Sequence, residues 1–163
     1  MADDILIRQA TVHDAPVIVH HRRAMFTDMG HTDPAALAAM EASFAPFLAR
    51  ALGDRWCRGW LALTQDRRVI AGGGLIVREW PSRPVNPAEP RRAYILNVYT
   101  EPEYRERGIA RRIMSDIVEW CRAQGFWSVS LHASVFGRLS YESMGFEPTN
   151  EMRLRLQDNE ITR

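Results

Sequence analysis

Arg105-Glu106-Arg107-Gly108-Ile109-Ala110-Arg111-Arg112 separates two patterns of opposite period. Before it, Tyr94 to Thr100 reads as a strand. After it, Ile109, Ile113, Ile117 and Trp120 or Cys121 recur on one face of an amphipathic helix that Gly125 ends. Trp127 to His132 then reads as another strand. A strand–helix–strand unit of this kind closes as a right-handed parallel crossover, which places both strands in one sheet. The junction also carries chemistry. A helix start leaves N–H groups without intrahelical partners and a partial positive charge, so it binds anions. Arg111 and Arg112 occupy a first turn where the dipole favours acids, and a bound polyphosphate would reverse that preference. The loop lacks the Gly-Lys-Ser/Thr ending of a Walker motif.

Outward from this unit, Ile5 to Arg8 reads as a short strand. Thr11 and Asp14 offer caps to a helix with Val17, Ile18, His21 and Met25 at helical spacing. Asp33-Pro34 starts a second helix through Leu37, Met40, Phe44, Phe47 and Leu48, ending near Gly53. Trp60 to Leu63 and Val69 to Glu79 read as a hairpin, and Gly72, Gly73 and Gly74 inside it signal a bulge or a close backbone approach. Pro81, Pro84, Pro87 and Pro90 predict an extended, polyproline-like loop. Ser134 to Met144 reads as a short helix closed by Gly145. Met152, Leu154 and Leu156 alternate with Arg153, Arg155 and Gln157 as a last strand. The order β-α-α-β-β-β-α-β-α-β predicts an α/β (α+β) fold, with a mixed sheet of six or seven strands and helices on both faces.

The 163 residues, 46% hydrophobic and 25% charged, suit one globular domain spanning 1–163. A net charge of +1 gives no electrostatic case for nucleic acid or an anionic membrane as partner. The start is no signal peptide, and the apolar runs read as shorter than the roughly 20 residues of a membrane span, so a cytoplasmic location is expected. All 21 basic residues are Arg, which excludes Lys-based Schiff-base or P-loop chemistry and suggests the codon bias of a GC-rich bacterium. Cys57 and Cys121 read as buried small hydrophobes. The histidines do not form a metal-spacing set, so no metal is expected.

Arg105-x-x-Gly108-x-Ala110 resembles the R/Q-x-x-G-x-G/A pyrophosphate loop of the GNAT superfamily of N-acetyltransferases. Leu96 to Arg105 resembles that family's fourth strand and loop. Leu131-His132-Ala133-Ser134 with Gly137-Arg138-Leu139-Ser140-Tyr141-Glu142-Ser143-Met144-Gly145-Phe146 resembles its fifth strand and following helix, and Ile7 to Asp14 its entry. The resemblance implies acetyl-CoA, or another acyl-CoA, as cosubstrate, and a sheet splayed between its fourth and fifth strands. Val98, Tyr99 and Thr100 would line the pantetheine arm. Arg105, Glu106, Arg107, Gly108, Ile109, Ala110 and Arg111 would form the pyrophosphate loop, with Ser134 and Arg138 also on the cofactor. The Val98 N–H would donate to the thioester carbonyl, where amine attack builds negative charge. Tyr141 would protonate the departing thiolate.

For the base, Glu79 and Glu101 are candidates, and water is a third route. The family's acceptor pocket maps onto Phe26, Asp28, Met29, Gly30 and His31, with Glu79 and Trp80; His132 lies near the implied splay. The implied activity is N-acetylation of a small-molecule primary amine by direct attack. A protein or peptide acceptor, or a non-catalytic acyl-CoA sensor, remains open. Many relatives pair, so a homodimer through Glu151–Gln157 is a further expectation.

Overall fold

The computed structural model describes residues 4–157. The chain divides into two compact units, one running up to His132 and the other from Ala133 onward. The first contains β1 (Leu6–Gln9), α1 (Ala15–Asp28), α2 (Pro34–Gly53), β2 (Cys57–Leu63), β3 (Val69–Glu79), β4 (Arg91–Thr100), α3 (Ile109–Ala123) and β5 (Val129–Leu131). The second contains α4 (Arg138–Glu142).

The strands lie in the order β1-β2-β3-β4-β5. The first four pair antiparallel. β4 and β5 pair parallel, as the crossover through α3 requires. Two adjacent glycines show what covers each face. A Cβ on Gly72 would lie 3.2 Å from His21 Nδ1 of α1, and one on Gly73 would lie 2.9 Å from Ile113 Cγ2 of α3. Neighbouring strand residues point to opposite faces, so α1 and α3 cover opposite sides of the sheet. The run Gly72–Gly74 is therefore a close approach of helices on both sides.

On the α3 side the buried residues are Ile109, Ile113, Met114, Ile117 and Cys121, a face repeating every three to four residues. Trp120 packs edge-on against Trp60. On the other side α2 buries Leu37, Phe44, Leu48, Ala51 and Leu52. By length and composition α2 could cross a membrane, contrary to the expectation from apolar run length. Here its apolar side packs against Ile18, Cys57, Leu61 and Leu63.

Several boundaries move. β2 and β4 start earlier than their apolar patterns, because Cys57–Gly59 pair with Gly74–Ile76, and Arg91 and Arg92 pair with Glu79 and Arg78. The loop 81–90 is built of turns, with Asn86 N donating to Arg83 O and Glu89 N to Asn86 O, and is not an extended polyproline segment. The sheet has five strands among the described residues, not six or seven. Residues 151–156 form no strand although their apolar residues alternate; Met152, Leu154 and Leu156 are exposed. Period-two patterning marks a segment that can pair, and only a hydrogen-bonded neighbour makes it a strand.

Candidate active site

The site grows from an irregularity in β4. Gly72 pairs with Tyr99 and Gly74 with Leu96, so Asn97 and Val98 stand against Gly73 alone. This is a bulge, and Asn97 supplies its left-handed residue at φ +55°. Asn tolerates that conformation better than any β-branched neighbour would. On the other side, pairing with β5 ends at Ile95–Leu131. Asn97 and Val98 thus have no residue paired opposite them in either neighbouring strand. β4 runs on past the end of β5, and the bulge re-aims its backbone there. Thr100 Oγ1 is buried there without a hydrogen-bond partner.

β4 leads through a turn at Pro102–Tyr104 into the Arg-rich loop. Gly108 is the N-cap of α3, at φ +74°, and gives no side-chain cap. The first-turn amides of Ile109 and Ala110 are left without one. A Cβ on Gly108 would meet nothing within 4 Å, so the space before this helix end is open. Glu106 also has positive φ, at +62°. Three arginines have structural tasks. Arg105 donates from Nε to Thr100 O (3.0 Å) and pairs with Asp28, which ties the loop to the end of α1. Arg112 donates to the O of Ile5, the residue before β1 (3.0 Å), so it is not spent on the helix start. Arg107 donates to Glu103 O.

The α1 side of β4 carries the acceptor candidates. Phe26 packs edge-on against His31 at 5.3 Å, and Met29 is half-exposed. Asp28 is committed to Arg105. Glu79 and Trp80 are elsewhere: Glu79 pairs with Arg91, seven residues before Val98, roughly 20 Å along the strand. Trp80 stacks on Arg92 at that far end. The structure therefore does not bring Glu79 to Val98. Glu101, after β4, lies 3.5 Å from His20 Nε2 and 3.8 Å from His21 Nε2 and accepts from Tyr99 Oη. Burial lowers the His21 pKa to about 4, so its ring is neutral near pH 7. His132 is the first residue past the β4–β5 pairing and hydrogen-bonds Tyr94 through Nδ1.

Sequence reasoning missed Arg22. Its Nη1 donates to Asn97 Oδ1 at 2.6 Å, and its guanidinium stacks over Phe26 and Phe44. A signal was present. Ile18, Val19, Met25 and Phe26 flank it at three and four residues, so no acid is available to it along the helix.

The second unit holds the remaining candidates. Ser134 Oγ accepts from Gly137 N at 3.1 Å, and Arg138 Nε donates to Glu142 at 2.7 Å. The Tyr141 ring packs against Phe146, and burial raises the phenol pKa, which keeps the hydroxyl protonated.

The chain resembles known proteins in sequence and in fold. A GCN5-related N-acetyltransferase from Ralstonia eutropha is 35% identical, with a TM-score of 0.85 over 93% of this chain and 98% of that one. A predicted acetyltransferase from Clostridium acetobutylicum, solved with acetyl-CoA, is 25% identical, with a TM-score of 0.83 over 96% and 99%. Human N-acetyltransferase 8 is 27% identical over 104 residues, 61% of this chain; the match spans 43% of that longer protein. The model of the acetyltransferase (GNAT) family matches residues 19–146, the stretch that contains most of α1, the bulged strand, the uncapped helix and Tyr141, and the chain belongs to that family.

Proposed function

We propose that the protein transfers an acetyl group from acetyl-CoA to the amine of a small molecule, by direct attack in a ternary complex. The observation that carries this is the unpaired stretch of β4 at Asn97 and Val98, followed by the uncapped start of α3. The first suits an extended pantetheine arm, and the second suits a pyrophosphate. The orphan Thr100 Oγ1 fits a polar partner along the same edge. The acetyl-CoA bound by the Clostridium relative agrees with this reading.

In this reading the Val98 N–H donates to the thioester oxygen as the amine attacks and negative charge develops there. A fixed backbone donor needs no reorganisation at that moment. Tyr141 holds its proton and gives it to the departing sulfur. Glu101 replaces Glu79 as the base: its carboxylate follows β4 directly, and it takes the amine proton by way of water. Ser134 and Arg138 remain assigned to the cosubstrate, and Phe26, Met29 and His31 to the acceptor.

A thiol-release screen with acetyl-CoA across amines, amino acids, polyamines, aminoglycosides and peptides tests the reading. Turnover with a small amine supports it. Turnover confined to peptides would assign a protein acceptor. Tight acetyl-CoA binding without turnover on any amine would make the chain a binding module.

A further inference from the structure

Arg22 is a cation in an unusual setting. It lies midway along α1, half-buried, with its guanidinium 4.9 Å from the Phe26 ring centre and 4.6 Å from that of Phe44. Its hydrogen bond is to a neutral acceptor, Asn97 Oδ1. Among the described residues no carboxylate pairs with it. Its Nε is buried without any partner. Leaving a buried charge uncompensated is among the costlier arrangements in a folded protein. Burial disfavours its charged form, yet an Arg stays protonated.

The unused donors have a direction. Nη1 is spent on Asn97, which leaves Nε and Nη2, the edge that presents two parallel N–H groups. That fork matches the two oxygens of a carboxylate. The place also matters. Asn97 is the bulge residue directly before Val98, so Arg22 is anchored one residue from the proposed oxyanion donor. The charge favours a single negative group. His21 is neutral, and Phe26, Phe44 and Asn97 carry no charge, so one positive charge waits for one negative charge. A phosphate dianion would call for a second cation.

We propose that Arg22 reads a carboxylate on the acceptor, so that the substrate class is a small amine that also bears a carboxylate, an amino acid in the broad chemical sense. This rests on the acetyltransferase reading above. Phe26 and Phe44 hold the guanidinium plane, Asn97 sets its rotation, and the acceptor's carboxylate closes the Nε–Nη2 edge. The amine is thereby carried to the bulge in one orientation.

The test uses matched pairs: α-, β- and γ-amino acids, each beside its carboxamide, with saturating acetyl-CoA and thiol release as readout. The wild type is expected to favour the acid over the amide in kcat/KM by roughly 10–100-fold, the range for a charge-assisted bidentate contact. In Arg22→Gln that ratio is expected to fall toward one, with acetyl-CoA affinity unchanged by calorimetry. Arg22→Lys keeps the charge without the fork and is expected to fall between; it also serves if Arg22→Gln does not fold. Equal use of acids and amides by the wild type overturns the proposal, as does an unchanged ratio in the Arg22 variants. If no amine is turned over, the function reading fails separately. The carboxylate site is then read by calorimetric titration of the same acids and amides, where equal binding of the two overturns it.

Discussion

Tyr141 and Gly108 show how one residue can be tested for a single task. The Tyr141 hydroxyl has no hydrogen-bond partner among the described residues, and its ring packs on Phe146. Tyr141→Phe keeps the ring and orphans nothing. It is expected to lower kcat by roughly 10²–10⁴-fold, the usual scale of acid–base catalysis, with melting temperature and acetyl-CoA affinity nearly unchanged. Full turnover in this variant would remove the general-acid role. Gly108 is needed for its backbone, since its φ is +74° and no atom crowds the space a Cβ would take. Val there strains the turn by about 1–2 kcal/mol and fills the open approach to the α3 amides. Gly108→Val is expected to weaken acetyl-CoA binding at least tenfold by calorimetry, and affinity equal to wild type would contradict the pyrophosphate assignment. The loop was legible because Gly and Arg crowd a strand–helix junction. Arg22 was harder to see, because its function depends on a residue 75 positions away.

Among the elements, β3 is constrained by helices that press on both of its faces. A Cβ on Gly73 would sit 2.9 Å from Ile113 Cγ2 and 3.2 Å from Ile117 Cδ1. Both Ile residues are themselves buried, so they have little room to yield. Gly73→Ala is expected to cost roughly 1–3 kcal/mol by overpacking, read as a lower urea midpoint. The same change also pushes α3 away from the strand that lies opposite the bulge. Acetyl-CoA affinity should therefore fall with stability, and an unchanged urea midpoint would show that α3 is loosely seated. α3 itself was the most legible element, because its apolar residues repeat with one period over four turns. The final alternating segment looked equally clear but formed no strand. A helix satisfies its own backbone, whereas a strand needs a partner from elsewhere.

For the whole molecule, His21 links pH to stability. It is buried between α1 and the sheet, 5.0 Å from the Tyr99 ring, and its pKa falls from 6.5 to about 4. Desolvation is the main cause, with the neighbouring His20 adding to it; the Glu101 carboxylate at 3.8 Å works in the opposite direction. The folded pKa lies below the unfolded one, so between these values the unfolded chain binds more protons. This contribution is intact above about pH 6.5, is lost progressively as pH falls, and levels off below about pH 4. The loss amounts to roughly 3 kcal/mol. Urea denaturation of the wild type should show this acid slope, and His21→Gln should flatten it. An identical slope in both would assign the pH dependence to other groups.

The sequence alone determined the helices, the crossover around α3 and the Gly- and Arg-rich loop before that helix, because each is set by short-range period and by Gly and Pro chemistry. The resemblance also singled out Val98, and the structure shows a break in pairing around that position. Tertiary structure alone decided where that break falls, for Asn97 turns left-handed only against Gly73 and beyond the end of β5. It moved Glu79 to the far end of the sheet, since strand register, which sequence leaves open, fixes distance along β4. It brought Arg22 of α1 onto Asn97 of β4. A charge without a carboxylate partner becomes visible only when every neighbour around it is known, and those neighbours come from distant parts of the chain.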